Sequence, residues 1–264
     1  MANSEKEAKS VGGGVINAYK KLGETPRERI ERLRKEKPQF EYEVLSYAGR
    51  LDPMAEGILV ILAGAQNKRR DEYLEMDKEY VLDVLFGFAT DTYDILGKVM
   101  QTGDASLVSR AAAREGLALF RGSIEQEYPP FSSKTVEGKS LFEWARNNAL
   151  GALMLPTRTV TIHAAELTDT YKVKEPELLA YIEESVAKVQ GDFRQEEIVR
   201  LWKRQLRANG SREFPCATVR VECTSGTYAR SIAHGLGRFM GVPALALHIL
   251  RTRVGPYSME KSLR

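Results

Sequence analysis

The stretch Tyr47-Ala48-Gly49-Arg50-Leu51-Asp52-Pro53-Met54-Ala55-Glu56-Gly57 decides how the rest of the chain is read. It sets one carboxylate, Asp52, in a turn bounded by Gly and Pro, with Arg50 two residues before it. An apolar segment, Ile58 to Ala63, follows at once. Turns present reactive groups because their backbone need not be buried. Pro53 restricts Asp52 to extended conformations, so the side chain should hold a defined direction. An Asp before Pro is by itself most often only a turn former. The remaining sequence has to decide.

The chain has 264 residues, enough for one large domain or two small ones. Hydrophobic residues make up 43% and charged residues 28%, as in ordinary globular proteins. No apolar run is long enough to cross a bilayer, so no membrane role is expected. The N-terminus lacks the apolar core of a secretory signal. Its acidic residues argue against a mitochondrial address, and a cytoplasmic location is expected. Cys216 and Cys223 lie seven residues apart with nothing that asks for a disulfide, and no Cys or His pair has metal-ligand spacing.

The net charge of +3 is too small to establish a nucleic-acid partner, but its distribution is uneven. Basic residues cluster at Lys20 to Lys35, at Lys68-Arg69-Arg70, and at Arg200, Lys203, Arg204, Arg207 and Arg212. Acidic residues interleave the first cluster, which therefore reads as a solvated helix face. Three clusters together favour a polyanionic partner.

Residues 1 to 14 are polar and end in three glycines, a flexible tail. Val15 to Tyr19 reads as a strand. Thr25, Pro26 and Glu28 then open a helix that runs to about Glu36. Lys78 to Phe88 alternates as a strand, and Gly97-Lys98-Val99 turns into another. Ser106 to Phe120 has helical spacing with a Ser cap. Further helices are expected at Leu141 to Asn147, Glu175 to Val189, Glu196 to Arg207 and Ser231 to Met240. Further strands are expected at Thr159 to Leu167, Ala217 to Cys223 and Leu245 to Arg253. Helices and strands mix without strict alternation, so an α+β fold is favoured over a doubly wound sheet. No linker is evident, and one domain is expected over residues 15 to 264.

Four ordered segments carry a family resemblance: Gly49-Arg50-Leu51-Asp52-Pro53 with Gly57; Asp77-Lys78-Glu79-Tyr80; Thr90-Asp91-Thr92-Tyr93-Asp94 with Gly97; and Gly226-Thr227-Tyr228-Ala229-Arg230. In this order and spacing the chain resembles the TruB-type pseudouridine synthases. Weaker echoes are Lys20 with Gly23, Pro129 to Lys134 with Gly138, Arg158 to Ile162, and Ile249 to Gly255. The resemblance covers roughly residues 15 to 257. It implies the α+β catalytic fold of those enzymes, a mixed and mostly antiparallel sheet flanked by helices. It also implies isomerisation of a T-loop uridine of tRNA (position 55) to pseudouridine.

That reaction breaks an N-glycosidic bond and rejoins the ring through carbon, with no atom gained or lost. No metal or redox cofactor is needed. It asks for a carboxylate beside the sugar, as nucleophile or base, and Asp52 is the candidate. The resemblance pairs Arg230 with Asp52 and makes Tyr80 the surface on which a flipped base stacks, its hydroxyl serving a late proton transfer. It places Ile249 against the base and gives Asp94 a supporting position. Tyr47, Arg50, Lys20, Lys134, Arg158 and Tyr228 complete the expected substrate contacts.

Some positions depart from the pattern. Tyr47 stands where the family commonly has the His that contacts RNA, Lys21 replaces a Pro, and Leu250 replaces an Arg. The segment before Gly138 is one residue short. Gly49 to Asp52 with Glu56-Gly57 also echoes the RluA and RsuA branches, which act on ribosomal or other RNA. The C-terminal PUA module of many relatives is not expected, so affinity would come from the catalytic domain, a monomer, or from an accessory protein. The alternatives are a synthase for rRNA or mRNA, and a non-catalytic RNA-binding or RNA-folding protein on the same fold.

Overall fold

The first strand, β1 (Val15–Lys20), leads through Gly23 into α1 (Pro26–Glu36). The helix start is fixed by the expected capping box: Thr25 Oγ1 accepts from the Glu28 N–H, and the Glu28 carboxylate accepts from the Thr25 N–H. The computed structural model describes residues 14–209 and 212–264. The expected flexible tail therefore lies, apart from Gly14, outside the described residues. After α1 come β2 (Leu45–Ala48), β3 (Ala55–Ala63), the short α2 (Arg70–Leu74), β4 (Lys78–Phe86), β5 (Phe88–Thr90) and β6 (Val99–Thr102). Next are α3 (Arg110–Ala118), β7 (Gly122–Glu127), a small hairpin of β8 (Thr135–Val136) and β9 (Lys139–Ser140), and α4 (Leu141–Arg146). The chain continues through β10 (Thr157–Lys174), α5 (Glu175–Ala187), α6 (Gln195–Asn209), β11 (Glu213–Cys223), α7 (Ala229–Met240), β12 (Ala244–Val254) and β13 (Tyr257–Ser258).

The main sheet runs in the order β1-β3-β12-β4-β11-β10-β7, with β2 paired to β3 and β13 to β12. Its pairs are antiparallel except β3–β12, which is parallel. This is the mixed, mostly antiparallel sheet of the expected α+β class. The apolar run Ile58–Ala63 lies in β3 because both faces of that strand are covered. Ile58, Val60 and Leu62 pack with Ala48 and Tyr73, whereas Leu59 and Ile61 pack with Ile30 and Leu33 of α1.

Strand β4 shows the same logic at the centre of the sheet. Tyr80, Leu82, Val84 and Phe86 face a core shared with α3 and α7. Leu85 faces the opposite core, built on α5 and α6 by Leu178, Ile182, Ile198 and Trp202. Helices thus cover both faces of the sheet, and α7 lies on the same face as Tyr80. Among the described residues no helix is long and apolar enough to cross a membrane.

Several boundaries differ from the sequence reading. The strand expected over Lys78 to Phe88 breaks at Gly87, and β5 leaves to pair with β6. The helix expected from Ser106 starts at Arg110, capped by Ser109, whose hydroxyl accepts from the Ala112 N–H. Ser106 instead closes a turn on the Asp104 carboxylate. Strand β10 runs on to Lys174 because β11 pairs with it down to Lys174. Strands β2 and β7 were not anticipated: β2 has four residues, and β7 reads Gly-Ser-Ile-Glu-Gln-Glu, with too little apolar alternation to signal a strand.

Candidate active site

The chain leaves β2, passes through Gly49 to Met54, and enters β3. Within this loop the Ala55 N–H donates to the Asp52 carbonyl at 3.0 Å, closing a β-turn with Pro53 at its second position. The loop is anchored on two sides. The Pro53 carbonyl accepts from the Gly23 N–H at 2.8 Å. On the other side Arg251, 1% exposed on β12, donates to the carbonyls of Ile58 at 2.7 Å, Arg50 at 3.3 Å and Gly49 at 3.1 Å. One buried guanidinium thus fixes the entry and the exit of the turn that bears Asp52. Gly57 allows this closeness: it has φ +110°, and a Cβ there would stand 2.2 Å from the Arg251 carbonyl oxygen.

Arg230, in the first turn of α7, is 3% exposed and gathers three segments. Its Nε donates to Asp52 Oδ2 at 2.7 Å, Nη1 to the Thr92 carbonyl at 2.6 Å, and Nη2 to the Phe131 carbonyl at 3.3 Å. Asp94 Oδ2 lies 3.8 Å from the same Nε. Asp94 is held in turn by Thr92 Oγ1 at 2.6 Å and by the Leu96 N–H at 3.0 Å, both on Oδ1. Burial works against the charge on Arg230, but the Asp52 and Asp94 carboxylates outweigh it and hold the guanidinium above its ordinary range. Burial pushes the Asp94 carboxyl up to about 6, against the pull of Arg230 and the Thr92 hydroxyl. Asp94 and Arg230 are closed in, whereas the Asp52 side chain keeps 31% of its exposure. Asp52 is the member of the network that reaches open space.

That space is a cleft of about 710 Å³ lined by Asp52, Tyr80, Ile249, Tyr228 and Arg158 among others. The volume suits a flat ring with its sugar. Tyr80 stands on β4 opposite Arg251 of β12 and Val221 of β11. Burial raises its phenol pKa, so Tyr80 is a neutral hydroxyl at neutral pH. Ile249 shares its apolar cluster. Tyr228 precedes α7, and its ring meets Tyr128 edge-on at 5.6 Å. The Gln126 side chain pins it by accepting from the Tyr228 N–H at 2.7 Å and donating to its carbonyl at 3.2 Å. Arg158 lies flat against Gly226, where a Cβ would meet its Cζ at 2.2 Å. Tyr47 and Arg50 line the lip, Arg50 exposed.

Two expected substrate contacts are placed differently. Lys20 is fully buried, and its ammonium bonds the carbonyls of Lys21 and Glu24. It ties the end of β1 to the turn before α1 and does not face the cleft; burial lowers it to about 7. Lys134 is exposed beside the cleft, its ammonium 5.4 Å from the centre of the Tyr128 ring. Sequence reasoning missed Gln126 and the anchoring role of Arg251. A signal for Arg251 existed: it follows Ile249 by two on one strand, the spacing that returns a side chain to the same face.

Comparison with known proteins places the chain in a family. A family model described as TruB family pseudouridylate synthase (N terminal domain) matches residues 37–188. A protein of Protochlamydia amoebophila named tRNA pseudouridine synthase B is 30% identical over 251 residues, 95% of this chain and 77% of that one. Its namesake in Symbiobacterium thermophilum is 31% identical over 262 residues, 99% of this chain and 73% of that one. Among solved structures, a chain in the crystal structure of a Cbf5-Nop10-Gar1 complex has a similar fold, with TM-score 0.57 and 22% identity. The match covers 93% of this chain and spans half the length of that one.

Proposed function

Because the chain belongs to the TruB family of pseudouridylate synthases, we propose that it isomerises the T-loop uridine of tRNA to pseudouridine, with Asp52 as nucleophile or base. The single observation that carries this reading is the 2.7 Å contact between Arg230 and Asp52 at the floor of the cleft. It sets the carboxylate beside a cation that cannot give up its proton. Asp52 is also the one carboxylate of the network open enough to meet a sugar.

In this reading the flipped uridine lies between Tyr80 and Ile249, with Tyr228 and Arg158 at its edge. Asp52 attacks the sugar or removes its proton as the N-glycosidic bond breaks. The ring turns and rejoins through carbon 5, which releases Asp52, and the carbon-5 hydrogen leaves as a proton while nitrogen 1 takes one up. In this reading the Tyr80 hydroxyl serves that last transfer, giving up its own proton as it accepts the one from carbon 5. Asp94 steadies Arg230, and Tyr47, Arg50 and Lys134 meet the surrounding RNA. We read residues 15–264 as one catalytic domain that works as a monomer in the cytoplasm, with RNA affinity supplied by that domain or by an accessory protein.

The test is tritium release from tRNA labelled at carbon 5 of uridine, with the modified position mapped. Release from the T-loop uridine is the expected result. A second reading, a synthase for another RNA, is favoured by Tyr47 on the cleft lip in place of the His common in the family. Pseudouridine mapped in rRNA and not in tRNA would select it.

A further inference from the structure

In the first two basic clusters of the sequence the fold ties down several members, while Lys21, Arg27, Lys35 and Lys68 are exposed with no ion-pair partner among the described residues. In the first, Arg32 pairs with Glu24 and Glu36, Arg34 pairs with Glu31, and Arg29 is buried on main-chain carbonyls. In the second, Arg69 pairs with Glu72, and Arg70 donates to the Tyr47 carbonyl. The third pairs Arg212 with Glu175 but leaves three arginines unpaired on a single helix. On α6, Lys203 pairs with Glu183 of α5, but Arg200, Arg204 and Arg207 have no ion-pair partner among the described residues.

These three arginines are exposed and lie on one stripe, at steps of four and three residues. Ile198, Trp202 and Leu206 are buried on the other side of the helix. The stripe therefore points straight to solvent, with Glu196 the acidic residue bordering it. Like charges at this spacing weaken a helix, so the stripe adds nothing to the fold. Its position supplies a reason. Asp192, Phe193 and Arg194, just before α6, line the catalytic cleft, and Arg194 pairs with Asp91 at 2.7 Å. Along the 15-residue helix the three arginines lie about 9–20 Å beyond Arg194 at the cleft edge.

We propose that the solvent face of α6 binds the sugar-phosphate backbone of the same RNA whose uridine enters the cleft, through Arg200, Arg204 and Arg207. The inference rests on the proposed function for the identity of that RNA. Charge complementarity selects the occupant: guanidinium groups free of protein partners, in a row, match a row of phosphates. The contacts carry no base information and act on affinity alone.

The experiment compares the wild-type chain with Arg200→Glu/Arg204→Glu/Arg207→Glu and with the matching triple Lys variant. Affinity for a tRNA transcript is measured across a salt series, with single-turnover pseudouridine formation at saturating enzyme. The Glu variant should bind roughly tenfold or more weakly, with a log–log salt slope shallower by about 2–3, at about 0.7–0.9 per lost contact. The Lys variant should stay within about threefold of wild type, because an ammonium also meets phosphate as a point charge. Bound RNA should react at the wild-type rate in both. An unchanged affinity and slope in the Glu variant, or an equal loss in the Lys variant, would overturn the proposal. A wild-type protein that binds tRNA but forms no pseudouridine in it would count against the proposed function, while the salt slopes still decide the role of α6.

Discussion

Arg230 Nε lies 2.7 Å from Asp52 Oδ2, although 178 residues separate the two. The contact closes a loop from one edge of the sheet onto the first turn of α7. The same guanidinium holds the carbonyls of Thr92 and Phe131, so three loops meet at one side chain. Its geometry, more than its charge alone, sets where Asp52 stands.

Arg230→Lys should therefore fail although it keeps the charge. One ammonium cannot span three oxygens on three segments as a planar fork does. Turnover should fall roughly a hundredfold or more, as misplacement of a reacting group by about an ångström commonly costs. Single-turnover rates of the folded variant check this. Wild-type rates would show that charge alone suffices.

Asp94 gives a pH signature. Burial raises its carboxyl to about 6 in the folded chain, so the folded state takes up its proton more readily than the unfolded state does. Below its ordinary range the group is neutral in both states and costs nothing. As pH rises towards about 6, burying the charge lowers stability, and above about 6 the full cost applies. Asp94→Asn should flatten this fall in urea midpoints measured between pH 4 and pH 7, and should slow turnover by loosening Arg230. An unchanged pH slope in the variant would contradict the burial account.

Tyr80→Phe keeps the ring on β4 and removes only the hydroxyl. Binding should stay near wild type, while turnover falls by roughly 10²–10⁴-fold, the usual worth of a placed acid or base. Affinity and single-turnover rate separate the two effects. Equal turnover would leave Tyr80 a stacking surface only.

Gly57→Ala should destabilise the chain by about 2 kcal/mol or more. The new methyl would meet the Arg251 carbonyl at 2.2 Å, at a φ of +110° that L-residues rarely adopt. Urea unfolding measures the loss. A neutral change would mean that the β3–β12 approach is looser than described.

Asp52, Tyr80, Asp94 and Arg230 were legible because each sits in a short motif whose order along the chain carries information. What they touch was not legible. Arg251 bonds main-chain carbonyls 193 to 202 residues away, and carbonyls leave no mark in a sequence. Gln126 was hidden for a related reason: β7 is a polar edge strand, so neither the strand nor the residue that clamps Tyr228 was expected. Lys20 read as a substrate contact because Lys20 with Gly23 echoes an N-terminal family segment, yet in the fold it is buried as a main-chain anchor. The α+β class and most helices followed from caps and periodicity. The Thr25 capping box matched to the residue, whereas Ser109 took the cap expected of Ser106.

The most direct measurement is tritium release by Asp52→Asn from tRNA labelled at carbon 5 of uridine, beside its affinity for the same RNA. The amide preserves the shape of the side chain and can still face Arg230, but it is neither nucleophile nor base. No detectable release is expected, with affinity within a few fold of wild type, since binding draws on many phosphate contacts. Release at a rate near wild type by the folded variant would contradict the assignment of Asp52 as the reacting group.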